Sequence, residues 1–184
     1  MSTQMCHADP RVQDVSSCFA ALRQLCSICR STSAAVLLSL VVSLVLSRLD
    51  YGNATLASLP GNELNRLQSV MNATARLVCS VRKYEHITPL LRDLYWLRVP
   101  QRIEFKLSVL VFRCLRHVVD VDTRKRLRSS STSAVVTPSM IGDRAFFVAA
   151  PRVWHTLPSS VTASETLGTF KRRLKTHLFA SSFR

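Results

Sequence analysis

Two short runs concentrate the charge of the chain. Arg124-Lys125-Arg126-Leu127-Arg128 and Lys171-Arg172-Arg173-Leu174-Lys175 each place four cations in five residues. The chemistry such runs offer is phosphate binding. Each cation held on a phosphate releases counter-ions, which gives an affinity that falls with salt and ignores base sequence. The first run also has the pattern of a nuclear localisation signal. The second reads equally well as the polar side of an amphipathic helix. The candidate nucleic-acid-binding residues are therefore Arg124, Lys125, Arg126, Arg128, Lys171, Arg172, Arg173 and Lys175.

Little else is spaced for chemistry. Two-metal phosphoryl transfer needs close carboxylates on a rigid scaffold. The eleven acids include no Asp-Asp pair, and Asp120 and Asp122 run straight into the Arg124–Arg128 cations, which compete for them as counter-ions. Cys26-Ser27-Ile28-Cys29 is a lone C-x-x-C; zinc needs a second pair, or histidines at fixed spacing, so buried thiols are the expectation. His86, His117, His155 and His177 lie far apart, without a cysteine or carboxylate at catalytic spacing. No G-x-S-x-G, Walker or dinucleotide-binding glycine pattern occurs. These residues assign no catalytic group, metal, cofactor or small-molecule substrate, and the chain is not expected to be an enzyme by itself.

A chain of 184 residues, 47% of them hydrophobic, can bury the core of one domain or two small ones, so wholesale disorder is not expected. Residues 1–99 carry 10 Lys/Arg and 6 Asp/Glu, whereas residues 100–184 carry 15 and 5. That imbalance points to a polyanion: RNA or DNA first, an anionic membrane surface second. The start, Met1 to Asp14, is polar and lacks an apolar segment behind a basic one, so no signal peptide is expected. Six cysteines in that context read as reduced thiols of a nuclear or cytoplasmic, not secreted, protein.

Four glycines and few alternating runs favour helices. Residues 1–16 have no period and are expected to be frayed. From Ser17, the positions Phe19, Leu22, Leu25, Cys26 and Cys29 share a helical face. Ser31 to Ser47 is uncharged and very apolar from Ala34 to Leu46, yet shorter than the roughly 20 residues of a bilayer span. Ser39, Ser43 and Ser47 form a small polar stripe opposite Leu37, Leu40, Val41, Leu44 and Val45. The expectation is a buried helix, with a single membrane span over residues 31–47 as the competing reading. Asn62 caps a helix lined by Leu64, Leu67, Val70, Met71, Leu77, Val78 and Val81. Thr88 and Pro89 open a short helix. Ile103, Leu107, Leu110, Val111, Cys114 and Val118 line the best amphipathic helix. Residues 120–138 read as a basic, Ser-rich linker with a short strand at Ala134–Thr137. In 139–184, Pro151 interrupts or restarts an apolar helix, and Thr162 or Ser164 caps the last one, Thr162 with Glu165 as a capping box, with Leu167, Phe170, Leu174 and Leu178 as its narrow apolar stripe. The expected fold is mainly α: a helical bundle over 17–119 and a basic, partly irregular C-terminal tail ending in an amphipathic helix.

Several blocks stand in a recognisable order: Ser47 to Asn53, Arg66-Leu67-Gln68 with Asn72-Ala73, His86-Ile87-Thr88-Pro89, Arg102 to Lys106, Gly142 to Phe146, Ala149-Ala150 with Trp154, Leu157 and Pro158, and Phe170 to Phe179. Over about residues 20–183 this order resembles the segment after the catalytic palm in the reverse transcriptase of non-LTR retrotransposons of the CR1, L2 and jockey type. The resemblance implies a thumb- or connection-like bundle that holds template or nascent duplex. It also implies a catalytically incomplete fragment of an RNA-directed DNA polymerase whose palm aspartates are absent; a non-functional transposable-element remnant is the alternative. Gly52 replaces the family's cysteine, and Tyr95 stands where a histidine precedes Trp96. After Arg116 a family segment is missing, with His117 passing directly to Val118.

Overall fold

The computed structural model of the chain describes residues 10–50, 60–120 and 146–183. It is mainly helical, with no strand among the described residues. In order come α1 (Pro10–Ile28), α2 (Ala34–Val41), a π-helical turn (Val42–Leu46), α3 (Ser47–Asp50), α4 (Gly61–Val78), α5 (Ile87–Asp93), α6 (Val99–Asp120), α7 (Phe146–His155), α8 (Ser159–Thr162) and α9 (Leu167–Ser182). They form two compact units, residues 10–50 with 61–96 and residues 97–120 with 146–183.

In the first unit α1 buries Val15, Cys18, Ala21, Leu22 and Leu25, an amphipathic stripe at three- and four-residue spacing. These side chains meet Leu37, Val41, Val45, Leu46, Leu49 and Val70 in one core. The buried positions of the second segment, 37, 41, 45, 46 and 49, do not suit a straight helix. At about 100° per residue, an α-helical face recurs at i, i+4, i+7, i+8 and i+11. The observed face is one residue longer after its second member. The π turn takes up that residue: the Ser47 N–H donates to the Val42 carbonyl, five residues back instead of four. The Ser43 hydroxyl donates to Leu40 O at 3.1 Å and the Ser47 hydroxyl to Ser43 O, so both serines bond their own backbone. The segment is half-buried, not buried as expected, since Val36, Leu38, Val42 and Leu44 stay exposed on the side away from α1. Among the described residues no helix is long and apolar enough to cross a membrane.

The next two helices end alike. After α4, Val81 N–H donates to Arg76 O (3.0 Å) and Ser80 N–H to Leu77 O (3.2 Å); after α5, Trp96 N–H donates to Leu91 O (2.9 Å) and Tyr95 N–H to Arg92 O (3.0 Å). These are the paired bonds of a Schellman motif, which needs a left-handed residue. Ser80 (φ 55°) and Tyr95 (φ 52°) occupy that position, where glycine is usual and a side chain costs about 1 kcal/mol or more. Trp96 follows and packs on the first core.

In the second unit α6 packs against α7 and α9. The fully buried Phe170 of α9 stacks on Phe112 of α6 (ring centroids 4.3 Å) and on Trp154 of α7 (5.8 Å). Leu97, Val109, Val161, Leu174 and Leu178 complete this core. Arg98 lies over the Phe183 ring while Phe112 meets Phe170, so α6 and α9 run antiparallel.

Several expectations are corrected. The chain is helical from Pro10, not from Ser17, with the proline at the first helical position where its missing N–H costs nothing. α5 begins at Ile87 with His86 as N-cap, two residues before the expected start with Thr88 as cap and Pro89 as first helical residue. The cap of α9 is Thr166, whose hydroxyl accepts from Thr169 N–H at 3.2 Å. Thr162 and the buried Ser164 instead give their hydroxyls to Ser159 O (3.3 Å) and Val161 O (2.7 Å), bonds of the preceding turn. Pro151 sits buried inside an unbroken α7. Cys26 and Cys114 are exposed, and Phe112 takes the buried place because α9 covers a second side of α6. α6 accordingly groups with the C-terminal helices, whereas composition grouped it with the upstream bundle. The 120–138 linker, apart from Asp120, and the strand at Ala134–Thr137 lie outside the described residues.

Phe170→Ala is expected to lose about 3–5 kcal/mol of stability. Ser80→Gly and Tyr95→Gly are each expected to gain up to about 1 kcal/mol by relieving the left-handed strain. Urea unfolding followed by circular dichroism checks all three.

Candidate nucleic-acid interface

The second cation run lies on α9. Its buried stripe is Phe170, Leu174, Leu178 and Ser182, a strict four-residue spacing. At about 100° per residue, Lys171, Arg172 and Lys175 share one side of the helix within an arc of about 100°. Arg172 and Lys175 are exposed and Lys171 is half-buried. Arg173 falls on the other flank, where its Nη1 donates to Ser160 O at 2.9 Å. Arg116 makes the matching bond from α6, Nη2 to Ser164 O at 2.9 Å, with its guanidinium also over the Phe112 ring. Two guanidiniums thus hold the carbonyls around α8. Of the four cations in the run, three form a common face and the fourth is engaged in structure.

No acid occurs in α9. Across residues 97–120 and 146–183, ten Lys/Arg stand against three Asp/Glu, so the second unit keeps a cationic surface even after its internal bonds are made. The other predicted run, Arg124, Lys125, Arg126 and Arg128, lies outside the described residues.

His177 sits on the α9 flank toward α6, where its charge acts on Glu104. Burial pushes the Glu104 carboxyl above the usual glutamate range, and His177 pulls it partly back. In the first unit burial, and then the Asp93 carboxylate, push the Cys79 thiol above the usual cysteine range. Cys29 is half-buried, its Sγ donating to Cys26 O at 3.1 Å. No group of three or more His, Cys, Asp or Glu among the described residues is placed to hold a metal. A depression of about 420 Å³ in the first unit is lined by Val15, Ser16, Phe19, Arg66 and Ser69. The Ser69 hydroxyl donates to Asn65 O, and Arg66 lies 3.8 Å from Glu63, so no nucleophile–base pair is assembled there.

Two surface features stand apart from the charge runs. Tyr84 is 93% exposed and Tyr95 68% exposed, with exposed Arg82, Lys83 and Arg92 nearby in sequence. The aromatic directly after two cations in Arg82-Lys83-Tyr84 is the sequence signal for the first. Nothing in the sequence separates Tyr95 from a core aromatic such as Trp96.

The raised Glu104 carboxyl has a consequence for stability. A carboxyl with a folded pKa above its unfolded one favours the folded state most when protonated; that contribution is full below the unfolded value and lost as pH rises through the raised one. Glu104→Gln removes the loss. The variant is expected to be more stable than the wild type at pH 7, with the gap closing toward ~pH 4; urea unfolding at the two pH values checks it.

Comparisons of the chain with protein-family models, with curated proteins and with solved structures gave no match.

Proposed function

We propose that the chain corresponds to the part of a non-LTR retrotransposon reverse transcriptase that follows the catalytic palm, and that it holds nucleic acid by phosphate contacts without catalysing polymerisation itself. The ordered sequence blocks from Ser47 to Phe179 support the origin, and the mainly helical fold agrees with it. The observation that carries the binding reading is the acid-free face of α9, where Lys171, Arg172 and Lys175 lie together above a buried apolar stripe. A helix so arranged keeps its cations toward solvent whatever its apolar side is doing. The contacts are with backbone phosphates, so the reading implies little discrimination between sequences. Arg173 contributes through the connector it fixes. The Arg124–Arg128 run adds charge of the same sign to the same unit's sequence.

The test is fluorescence anisotropy with a labelled DNA duplex and an RNA hairpin between 50 and 200 mM KCl. Binding is expected to weaken with salt, and changing Lys171, Arg172 and Lys175 together to Ala should flatten the log–log slope by about 3, roughly one per phosphate contact. The loss should be the same for unrelated sequences. Replacing Arg124, Lys125, Arg126 and Arg128 by Ala is expected to lower affinity in the same uniform way. Binding that ignores salt, or no binding at low salt, overturns the reading.

A further inference from the structure

The cations of α9 have a counterpart on the helix beside it. α6 and α9 run antiparallel, with Phe112 against Phe170 at one level and Arg98 over Phe183 at another. Those two contacts fix the register of the pair. By that register Arg113 of α6 stands within one helical turn of Lys171, and Lys106 stands level with Lys175.

Helical phase then sorts the flanks. Seen from the buried stripe of α9, Lys171 and Lys175 turn to one side and Arg173 to the other. The Arg173 side is occupied, since its Nη1 donates to Ser160 O of α8. On α6 the buried Leu107 and Val111 turn to the side that α7 covers. Glu104 lies on that side too, where the His177 charge reaches it. Arg113 is nine residues from Glu104, so it points about 180° away, and it is exposed. In an antiparallel pair the flanks of like phase lie on the same side. Arg113, Lys171 and Lys175 therefore share the side of the pair away from α7 and α8, with Arg172 at its outer edge. Arg102 and Lys106 have the phase of Arg113 but make interactions of their own, and the surface does not depend on their being free.

This side holds cations from both helices. α9 has no acid, and Glu104 faces the other flank. From the level of Arg113 to that of Lys175 the cations extend about 10 Å along the seam, the rise of about three successive phosphates on one strand of a duplex. We propose that the flank is one phosphate-binding surface built by two helices. A nucleic-acid backbone lies along the α6–α9 seam, with Arg113 holding phosphate from α6 as Lys171 and Lys175 hold it from α9. The proposal rests on the nucleic-acid reading above and carries it to a residue outside both cation runs. In sequence Arg113 is a single cation between Phe112 and Cys114.

The experiment titrates the full chain with the same labelled DNA duplex and RNA hairpin over the same salt range, and with phosphatidylcholine vesicles containing phosphatidylserine. Arg113→Ala should weaken binding of both nucleic acids about fivefold in the middle of the range and flatten the log–log slope by about 1. Arg113→Lys should keep the wild-type slope. Arg48→Ala is the control: it removes the same charge from an exposed arginine of the first unit and should leave the slope unchanged. If Arg113→Ala also leaves it unchanged, while replacing Lys171, Arg172 and Lys175 still flattens it, the two-helix surface is overturned and the α9 reading stands. Equal losses in Arg113→Ala and Arg48→Ala overturn the surface as well, because net charge is then the whole effect. An Arg113→Lys variant as weak as Arg113→Ala makes the effect one of structure and overturns it too. No nucleic-acid binding at low salt overturns both readings, and vesicle binding in that case assigns the cations to a membrane surface. Circular dichroism of each variant separates lost binding from lost fold.

Discussion

The second unit depends on the burial of one side chain. Phe170 is fully enclosed, with Phe112 on one side and Trp154 on another, so a single ring ties α9 to α6 and α7. Isolated helices shorter than about 12–15 residues are marginal in water, and α7 has ten residues and α8 four. Such pieces hold their shape only where packing supplies the difference. Burying an aromatic side chain of roughly 150–250 Å² is worth about 4–6 kcal/mol at most. The guanidinium over Phe112 contributes of order 0.5–1 kcal/mol. The apolar contact sets the arrangement, and the polar bonds of Arg116 and Arg173 to the carbonyls around α8 fix the connector within it.

The longer helices were legible in the sequence because their apolar residues recur at three- and four-residue spacing and most have turn signals at their ends; the four-residue α8 and the first turns of α1 carry no such period. The stripes of α4 and α9 came through directly: Val70 and Met71, and Phe170, Leu174 and Leu178, are buried as their spacing implies. What stayed hidden was competition between equivalent groups. Thr162, Ser164 and Thr166 all carry a hydroxyl suited to a helix start, and only the three-dimensional path shows that the first two are used by the turn before. The same holds for α6, whose sequence suggests one apolar face. Its second buried side, with Val109 and Phe112, exists because α9 returns antiparallel beside it, a contact some sixty residues away in sequence.

The candidate site was half legible. A run of cations reads as one patch, yet neighbours on a helix point about 100° apart. Arg172 and Arg173 are adjacent, chemically alike and both exposed, yet they point to different sides of α9, and Arg173 donates to a carbonyl of α8. Composition fixes how much charge the second unit holds, and helical phase decides which part of it is available to a ligand. In the first unit the aromatic side chains divide similarly. Trp96 closes the α5 cap over the core, and Tyr95, one residue earlier, is turned outward by the left-handed backbone that the cap requires.

The π turn gives the first unit an asymmetric tolerance to changes in chain length. Adding or removing a residue in an α-helix rotates everything downstream by about 100° and carries buried side chains toward solvent. Here the helix already accommodates one residue beyond the regular face, between Val41 and Val45. If the chain lost a codon in that interval, the buried set would fall at i, i+4, i+7, i+8 and i+11, the face of an unbroken helix. Leu37, Val41, Val45, Leu46 and Leu49 would keep their common core while the backbone became regular. A gained codon would have no such refuge. Within this stretch, shortening is the mild lesion and lengthening the severe one.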